Sequence, residues 1–284
     1  MSTLAERRRR TRGFYPYLSA SVLLSLVFLI PLVWVVFRSL QPATLATDSP
    51  RSADFTHLTT ANYRAVISQE HILVNVANSL LTAGGTALLT AVVSTLAGYG
   101  LAKFRFRGSG LVFAAILVAL MIPFQAVLTP LFIELSHFHL TNSLLGLVLI
   151  YSTFNLPFGV FVMRNSFQQI PRELIESAQV DGAGVMSTLV LILRPLIMPG
   201  IATTAIFAFL FSWNEFLQAL TFLATDSKLT LPVKLFNIDT STYGAINFGY
   251  LSSGVVIAMV PCIVLYLALQ RYYVQGLISG AVKG

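Results

Sequence analysis

The residues whose types and spacing could do chemistry fall in two places. The first is a polar island between apolar stretches, Pro171-Arg-Glu-Leu-Ile-Glu-Ser-Ala-Gln-Val-Asp-Gly-Ala-Gly184, closing at Arg194-Pro195. Its acids, Glu173, Glu176 and Asp181, have no histidine or cysteine beside them, so the chemistry on offer is that of a contact surface rather than of catalysis. Pro171 suits the first turn of a helix, where a missing N–H costs nothing. Glu173 and Glu176 then lie near the positive end of that helix. Leu174, Ile175 and Ala178 share one face by their i, i+3 and i+4 spacing. Ala178 is small enough to let a partner surface approach its backbone. Gly182 can take a positive φ and end the helix, and Asp181 can hold the turn. A second helix is expected beyond it, with Val185, Met186, Leu189, Val190 and Leu193 on an apolar face that leads to Pro195.

The second place is a scatter of polar residues inside apolar runs: Gln125, Asn155, Trp213, Asn214 and Glu215. Polar groups at membrane depth are expensive and tend to face a cavity or a partner helix. Two readings stand side by side. In one, an indole face, amides and a carboxylate line a path for a sugar; in the other, Trp213 is an interfacial anchor and the rest make interhelical hydrogen bonds. If its span begins near Pro199, Glu215 lies roughly 24 Å along it, toward the outer leaflet.

The elements that must position these groups are set by composition. Of 284 residues, 56% are hydrophobic and only 10% charged, against about 25% charged in soluble domains. Mean hydropathy is +0.78. The solvent for most of this chain is therefore lipid. An apolar helix of roughly 20 residues crosses a bilayer core, and six candidates occur, at about 16–37, 77–101, 111–132, 144–163, 197–222 and 247–269. The first lacks a small-residue cleavage site, with Arg38 and Gln41 following it, and is read as a span rather than a cleaved signal.

With the N-terminus inside, thirteen of the eighteen Lys and Arg residues fall on the cytoplasmic side, as positive-inside orientation requires. They include Arg7–Arg10, Arg12, Lys103, Arg105, Arg107, Arg164, Arg172 and Arg194. All four histidines then lie outside. The net charge of +7 is thus explained by topology and anionic lipid rather than by nucleic acid. The chain divides into a basic cytoplasmic tail at 1–14, a first transmembrane helix at 15–38, an extracytoplasmic segment at 39–75, a five-helix core at 76–270 holding the loop at about 171–195, and a cytoplasmic C-terminal tail at 271–284. Within 39–75, Thr59, Thr60 and Asn62 are placed to cap a short helix. Prolines 31, 123, 157 and 261 interrupt spans without proving gates.

Several chemistries find no footing. The single Cys262 sits in an apolar run and reads as a small core residue. No Cys/His cluster has metal-ligand spacing, and no G-x-S-x-G elbow occurs. The sequence contains no G-x-x-x-x-G-K-[ST] phosphate loop. An ion-driven carrier should hold ionisable groups within its spans, and Glu215 is the only acid well inside an apolar run. An ATP-independent channel or secondary transporter remains the alternative class.

The polar island resembles the coupling loop of ABC importer permeases, E-A-A, three residues, G, nine residues, I-x-L-P. Glu176, Ser177, Ala178, Gly182, Ile192 and Pro195 stand at its positions; Ser177 and Arg194 depart from it. Gly98-Tyr-Gly-Leu-Ala-Lys-Phe-Arg-Phe-Arg-Gly108, Met121–Val127 and Ser212–Phe216 look like the family's spans. The ending Gln270-Arg-Tyr-Tyr-Val-Gln-Gly-Leu-Ile-Ser-Gly-Ala-Val-Lys-Gly284 is similar to that of carbohydrate permeases of the maltose and glycerol-phosphate type. The resemblance implies an all-α polytopic membrane protein with six transmembrane helices and the type-1 ABC importer permease fold, in a bacterial or archaeal inner membrane. It implies transport of a sugar or related polar solute by alternating access. It also implies a second permease, two ATP-binding subunits that hold ATP and Mg, and an extracytoplasmic solute-binding protein touching the outer loop near 225–244. No cofactor is expected in this chain. By the same resemblance Glu173, Glu176, Ala178, Asp181 and Gly182 meet the ATPase.

Overall fold

The computed structural model of the protein describes residues 4–42, 57–240 and 247–281, with side chains placed for 17–42, 57–238 and 247–268. The side chains of the basic run at 7–12 and of the tail from Gln270, most of the outer stretch 39–58, and part of the loop expected at 225–244 lie outside the described residues.

Regular structure among the described residues is helical. That follows from the solvent: hydrocarbon offers no partner to backbone N–H and C=O groups, and a helix satisfies its own. The elements are α1 (Leu4–Ser39), α2 (Ala61–Ser68), α3 (Ile72–Lys103), α4 (Ser109–Val118), α5 (Phe124–His137), α6 (Leu144–Gln168), α7 (Glu173–Val180), α8 (Val185–Asn214), α9 (Leu217–Phe222), α10 (Leu231–Thr240) and α11 (Phe248–Ala281). Five helices are long and apolar enough to cross a membrane, and six crossings result if α4 and α5 together make one.

Two expectations need revision. The span read as one piece at 111–132 is a pair of helices meeting at 101°. Ile122 is extended (φ −80, ψ 114) and Pro123 follows at φ −70, ψ 138. Proline lacks an N–H and pushes its predecessor out of the helical region. Pro157 and Pro261 sit inside continuous helices. The separate second loop helix is likewise absent as such: 185–193 runs straight into the fifth span, through a π-helical stretch at Thr188–Leu193. Its wider turns lie just before Pro195, whose ring would crowd the carbonyl four residues back.

The described residues form two compact units, one from Met1–His71 with Asn237–Ala258, the other from Ile72–Phe236 with Met259–Gly284. In the first, Asn62 is not a cap; its buried amide donates to the carbonyls of Ser39 (2.9 Å) and Gln41 (2.6 Å). Thr59 Oγ1 accepts from the Ala61 N–H instead. Arg38 donates to Gln41 Oε1 at 2.7 Å and lies over the Phe248 ring.

The second unit is built on α3, α6 and α8. Small and hydroxylated residues line their contact: Thr86, Thr90 and Ser94 on α3, Ser152 on α6, Thr204 and Ser212 on α8, all buried. Ser212 Oγ donates to Thr86 Oγ1 at 3.2 Å. Such residues let backbones approach in lipid, where hydrophobic expulsion between helices is lost. α3 and α6 approach closely at Gly98, where an added Cβ would stand 2.7 Å from Met163 Cβ and 2.8 Å from the Arg164 N. Apolar clusters close the two ends. One holds Tyr99, Met163, Phe167, Leu193 and Ile197; the other holds Phe124, Leu147, Tyr151, Phe222 and Leu229. Gly84 on α3, by contrast, faces open space.

Gly98→Val is expected to destabilise this unit by about 1–3 kcal/mol through overpacking. Gly100→Ala, with nothing near its Cβ position, should not destabilise it. Thermal unfolding of the purified transporter compares the two.

Candidate functional site

The polar island folds as the residue types demand. α7 begins beside Pro171 and Arg172, with Glu173 and Glu176 in its first turn. It ends at Gly182, whose φ is +80. There the Gly182 N–H donates to Gln179 O (3.0 Å) and the Ala183 N–H to Ala178 O (2.9 Å), a Schellman pair that satisfies the last carbonyls. The space around Gly182 is open, so a side chain there would strain the backbone rather than collide within this chain.

The two faces of α7 differ from the sequence reading in one respect. Glu173, Glu176, Asp181 and Gly182 are exposed. Ala178, read as a contact residue, is only 3% exposed and faces inward with the half-buried Ile175. Leu174 stands outward instead, and Val180 is 88% exposed. The loop thus presents three carboxylates and a few apolar side chains away from the rest of this chain.

A residue missed in the sequence anchors the loop. Lys103, the last residue of α3, donates from Nζ to the carbonyl of Ile170 at 2.7 Å. It fixes the strand of chain from which α7 starts. Its signal was a lysine ending an apolar run, which reads equally well as topology. Arg194 is exposed.

The other end of the unit holds the second group of candidates. Glu215 is half-buried and caps a helix: its carboxylate accepts from the N–H groups of Gln218 (2.9 and 3.0 Å) and Ala219 (3.1 Å) at the start of α9. It also accepts from Tyr151 Oη on α6 at 2.9 Å. Trp213 is 3% exposed, with its ring stacked on Phe209. Asn155 is buried and donates to the carbonyl of Tyr151. Asn214 is exposed and donates to the carbonyl of Leu210. Gln125 is exposed on α5, just past the Pro123 bend. Tyr151 thus joins Glu215 to the helix of Asn155, while Gln125 has no hydrogen bond to them. Glu215, Trp213 and Asn155 thus each have a partner within the protein itself.

The same end has a pinned loop that sequence did not reveal. Asn75 and Asn78 on α3 both donate to Leu229 O at 3.0 Å. Asn142, in the left-handed region at φ +52, accepts from the N–H groups of Ala224 and Thr225, and its own N–H donates to Phe222 O. Residues 222–231 are therefore a fixed surface at the end of the unit opposite α7. The i, i+3 asparagines at the head of an apolar run were the available signal.

Residues 92–279 match the model of a family described as binding-protein-dependent transport system inner membrane component. The chain belongs to this family. Among its relatives are a putative ABC transporter permease of Streptomyces antibioticus, 36% identical over 80% of this chain and 98% of that one, and a trehalose transport system permease of Mycobacterium tuberculosis, 33% identical over 90% and 93%. An arabinooligosaccharide transport system permease of Bacillus subtilis is 33% identical over 93% of each. In fold the permease matches a crystal structure of a bacterial ABC transporter that imports the acidic polysaccharide alginate, with a TM-score of 0.80 at 20% identity, over 94% of this chain and 98% of that one. It is a multi-pass, all-α permease subunit of an ATP-driven importer with the type-1 fold.

If Glu215 is architectural, Tyr151→Phe and Glu215→Gln should each destabilise the permease by about 0.5–3 kcal/mol, with the pair less than additive. A double-mutant cycle on thermal unfolding, with solute affinity as the parallel readout, tests this. A large loss of affinity without loss of stability would return Glu215 to the transport path.

Proposed function

We propose that the permease imports a sugar or related polar solute by alternating access, and that α7 with its Gly182 turn is the element through which ATP hydrolysis drives it. The carrying observation is the loop itself: a short helix, closed by a positive-φ glycine, that exposes Glu173, Glu176 and Asp181 while its inner face is tied to the membrane helices. A rigid peg of this kind suits a cleft on a separate motor subunit. The relatives named for trehalose and arabinooligosaccharides support the carbohydrate class.

In this reading the permease pairs with a second permease. Two ATP-binding subunits hold ATP and Mg and receive α7 from the cytoplasm, where both termini also lie. An extracytoplasmic solute-binding protein meets the opposite end, where Asn75, Asn78 and Asn142 hold 222–231 in place. Closure of the ATPases pushes α7, and the push enters α3 and α6 together through Lys103, the Ile170 carbonyl and the Gly98 contact. The solute and ATP each bias the same two-state equilibrium, so each must bind the outward and inward states unequally. The exposed Asn214 and Gln125 are the remaining candidates from this chain for the solute's path.

Gly182→Arg combines strain of about 1–2 kcal/mol in the left-handed region with bulk and charge on the peg. Solute uptake into proteoliposomes holding the whole transporter should fall to background, with the variant still inserted. Retention of the full solute-stimulated ATPase rate would remove α7 from the coupling route.

A further inference from the structure

We propose that the cleft between the end of α3 and α7 is a binding site for a phosphate group. Polar side chains line both of its walls: Tyr99 and Lys103 on α3, and Arg172, Glu176 and Gln179 at the start and along the flank of α7. On each wall the spacing is three or four residues, which sets side chains on one helix face. Tyr99 is the residue that points to a ligand. It is only 6% exposed. Its ring is held by the edges of Phe104 and Phe167, with centroids 5.6 and 5.2 Å away. Yet among the described residues its hydroxyl makes no hydrogen bond, although it lines the cleft. Buried polar groups ordinarily have a partner, and the cleft is where this one can find it.

The chemistry of that partner follows from the donors. The Lys103 ammonium gives one N–H to the Ile170 carbonyl at 2.7 Å and keeps two. The Arg172 guanidinium and the Gln179 amide are engaged by no described group. Glu176 is the one acid of the lining, and among the described residues it pairs with neither cation. Two cations, an amide and a buried hydroxyl therefore stand against a single carboxylate. Such an excess of N–H and O–H donors calls for an anion with several oxygens. Phosphate fits: an arginine fork takes two of its oxygens in matching geometry, and the others are left for the ammonium and the hydroxyl. Bound there, it bridges α3 and α7 beside the Lys103 contact. The site stands whether or not α7 couples to an ATPase.

Phenylglyoxal modifies arginine side chains, and mass spectrometry of the digested whole transporter follows Arg172 separately from Arg194, which is exposed nearby in the chain. The readout at Arg172 is also separate from any phosphate held by the ATP-binding subunits. In nucleotide-free transporter in phosphatidylcholine nanodiscs, inorganic phosphate should slow modification of Arg172 saturably and leave Arg194 unchanged. Tyr99→Phe keeps the ring and should raise the phosphate concentration for half-protection about tenfold, as loss of one hydrogen bond to a charged group does. Nanodiscs containing phosphatidylglycerol, with no phosphate added, distinguish the sources. Protection of Arg172 there assigns the phosphate to a lipid headgroup, and protection only on adding the ion assigns it to free phosphate. Absence of protection in both arms would overturn the site. So would equal protection by chloride at matched ionic strength, which is screening alone, or protection that Tyr99→Phe leaves unchanged. Arg172 that fails to react when both anions are absent would overturn it too, since a partner subunit would then cover the cleft.

Discussion

The structure depends on the contact at Gly98, where α3 meets the Met163–Arg164 backbone of α6 with no room for a side chain. In lipid there is no gain from expelling water between two apolar helices, so association rests on close packing and on hydrogen bonds across the seam. Gly98 allows that proximity at one end. Tyr99 and Phe167 pack beside it with ring centroids 5.2 Å apart. The Lys103 ammonium, one turn farther, then falls within reach of the Ile170 carbonyl. One close approach thus fixes the end of α3, the end of α6 and the starting point of α7.

The two sides of α7 are attached differently. On the α6 side the connection is short and held by Lys103. On the α8 side it passes through Gly182 and Gly184 and then through the π-helical stretch Thr188–Leu193. π turns are wider and less stable than α turns, so the α8 side is the more yielding of the two. At the opposite end, asparagines replace the lysine: Asn75, Asn78 and Asn142 bind backbone groups of 222–231. An asparagine amide both donates and accepts without bringing a charge near the membrane.

Glu215 illustrates how a polar residue in an apolar run is made tolerable. Its carboxylate sits on the N–H groups that open α9, a location that favours negative charge, and the Tyr151 hydroxyl adds a further donor. The break between α8 and α9 and the acid within it explain each other. The helix must stop for the carboxylate to reach the next helix's N-terminus, and that N-terminus supplies it with N–H donors.

Composition and spacing were enough to place this chain in a membrane, to find the long helices and to locate the α7 turn. Those features rest on local rules: the length of an apolar run, the conformational freedom of Gly182, the sign of charge at span ends. What they left open are matters of which atoms meet. Sequence put Ala178 on the outside because a small residue suits a contact, but helix orientation is decided by what packs beneath it, and Ile175 and Ala178 turned inward together. A proline in an apolar run is compatible with a kink or a break; at Pro123 the extended Ile122 made it a bend of 101°, while Pro157 stayed within its helix. Trp213, Asn155 and Glu215 had two readings, transport path or packing, because a polar side chain is drawn equally to a solute and to a partner helix. Only the tertiary structure supplied Tyr151 as a partner of Glu215, since residues 64 apart in the chain are brought together by helix packing alone.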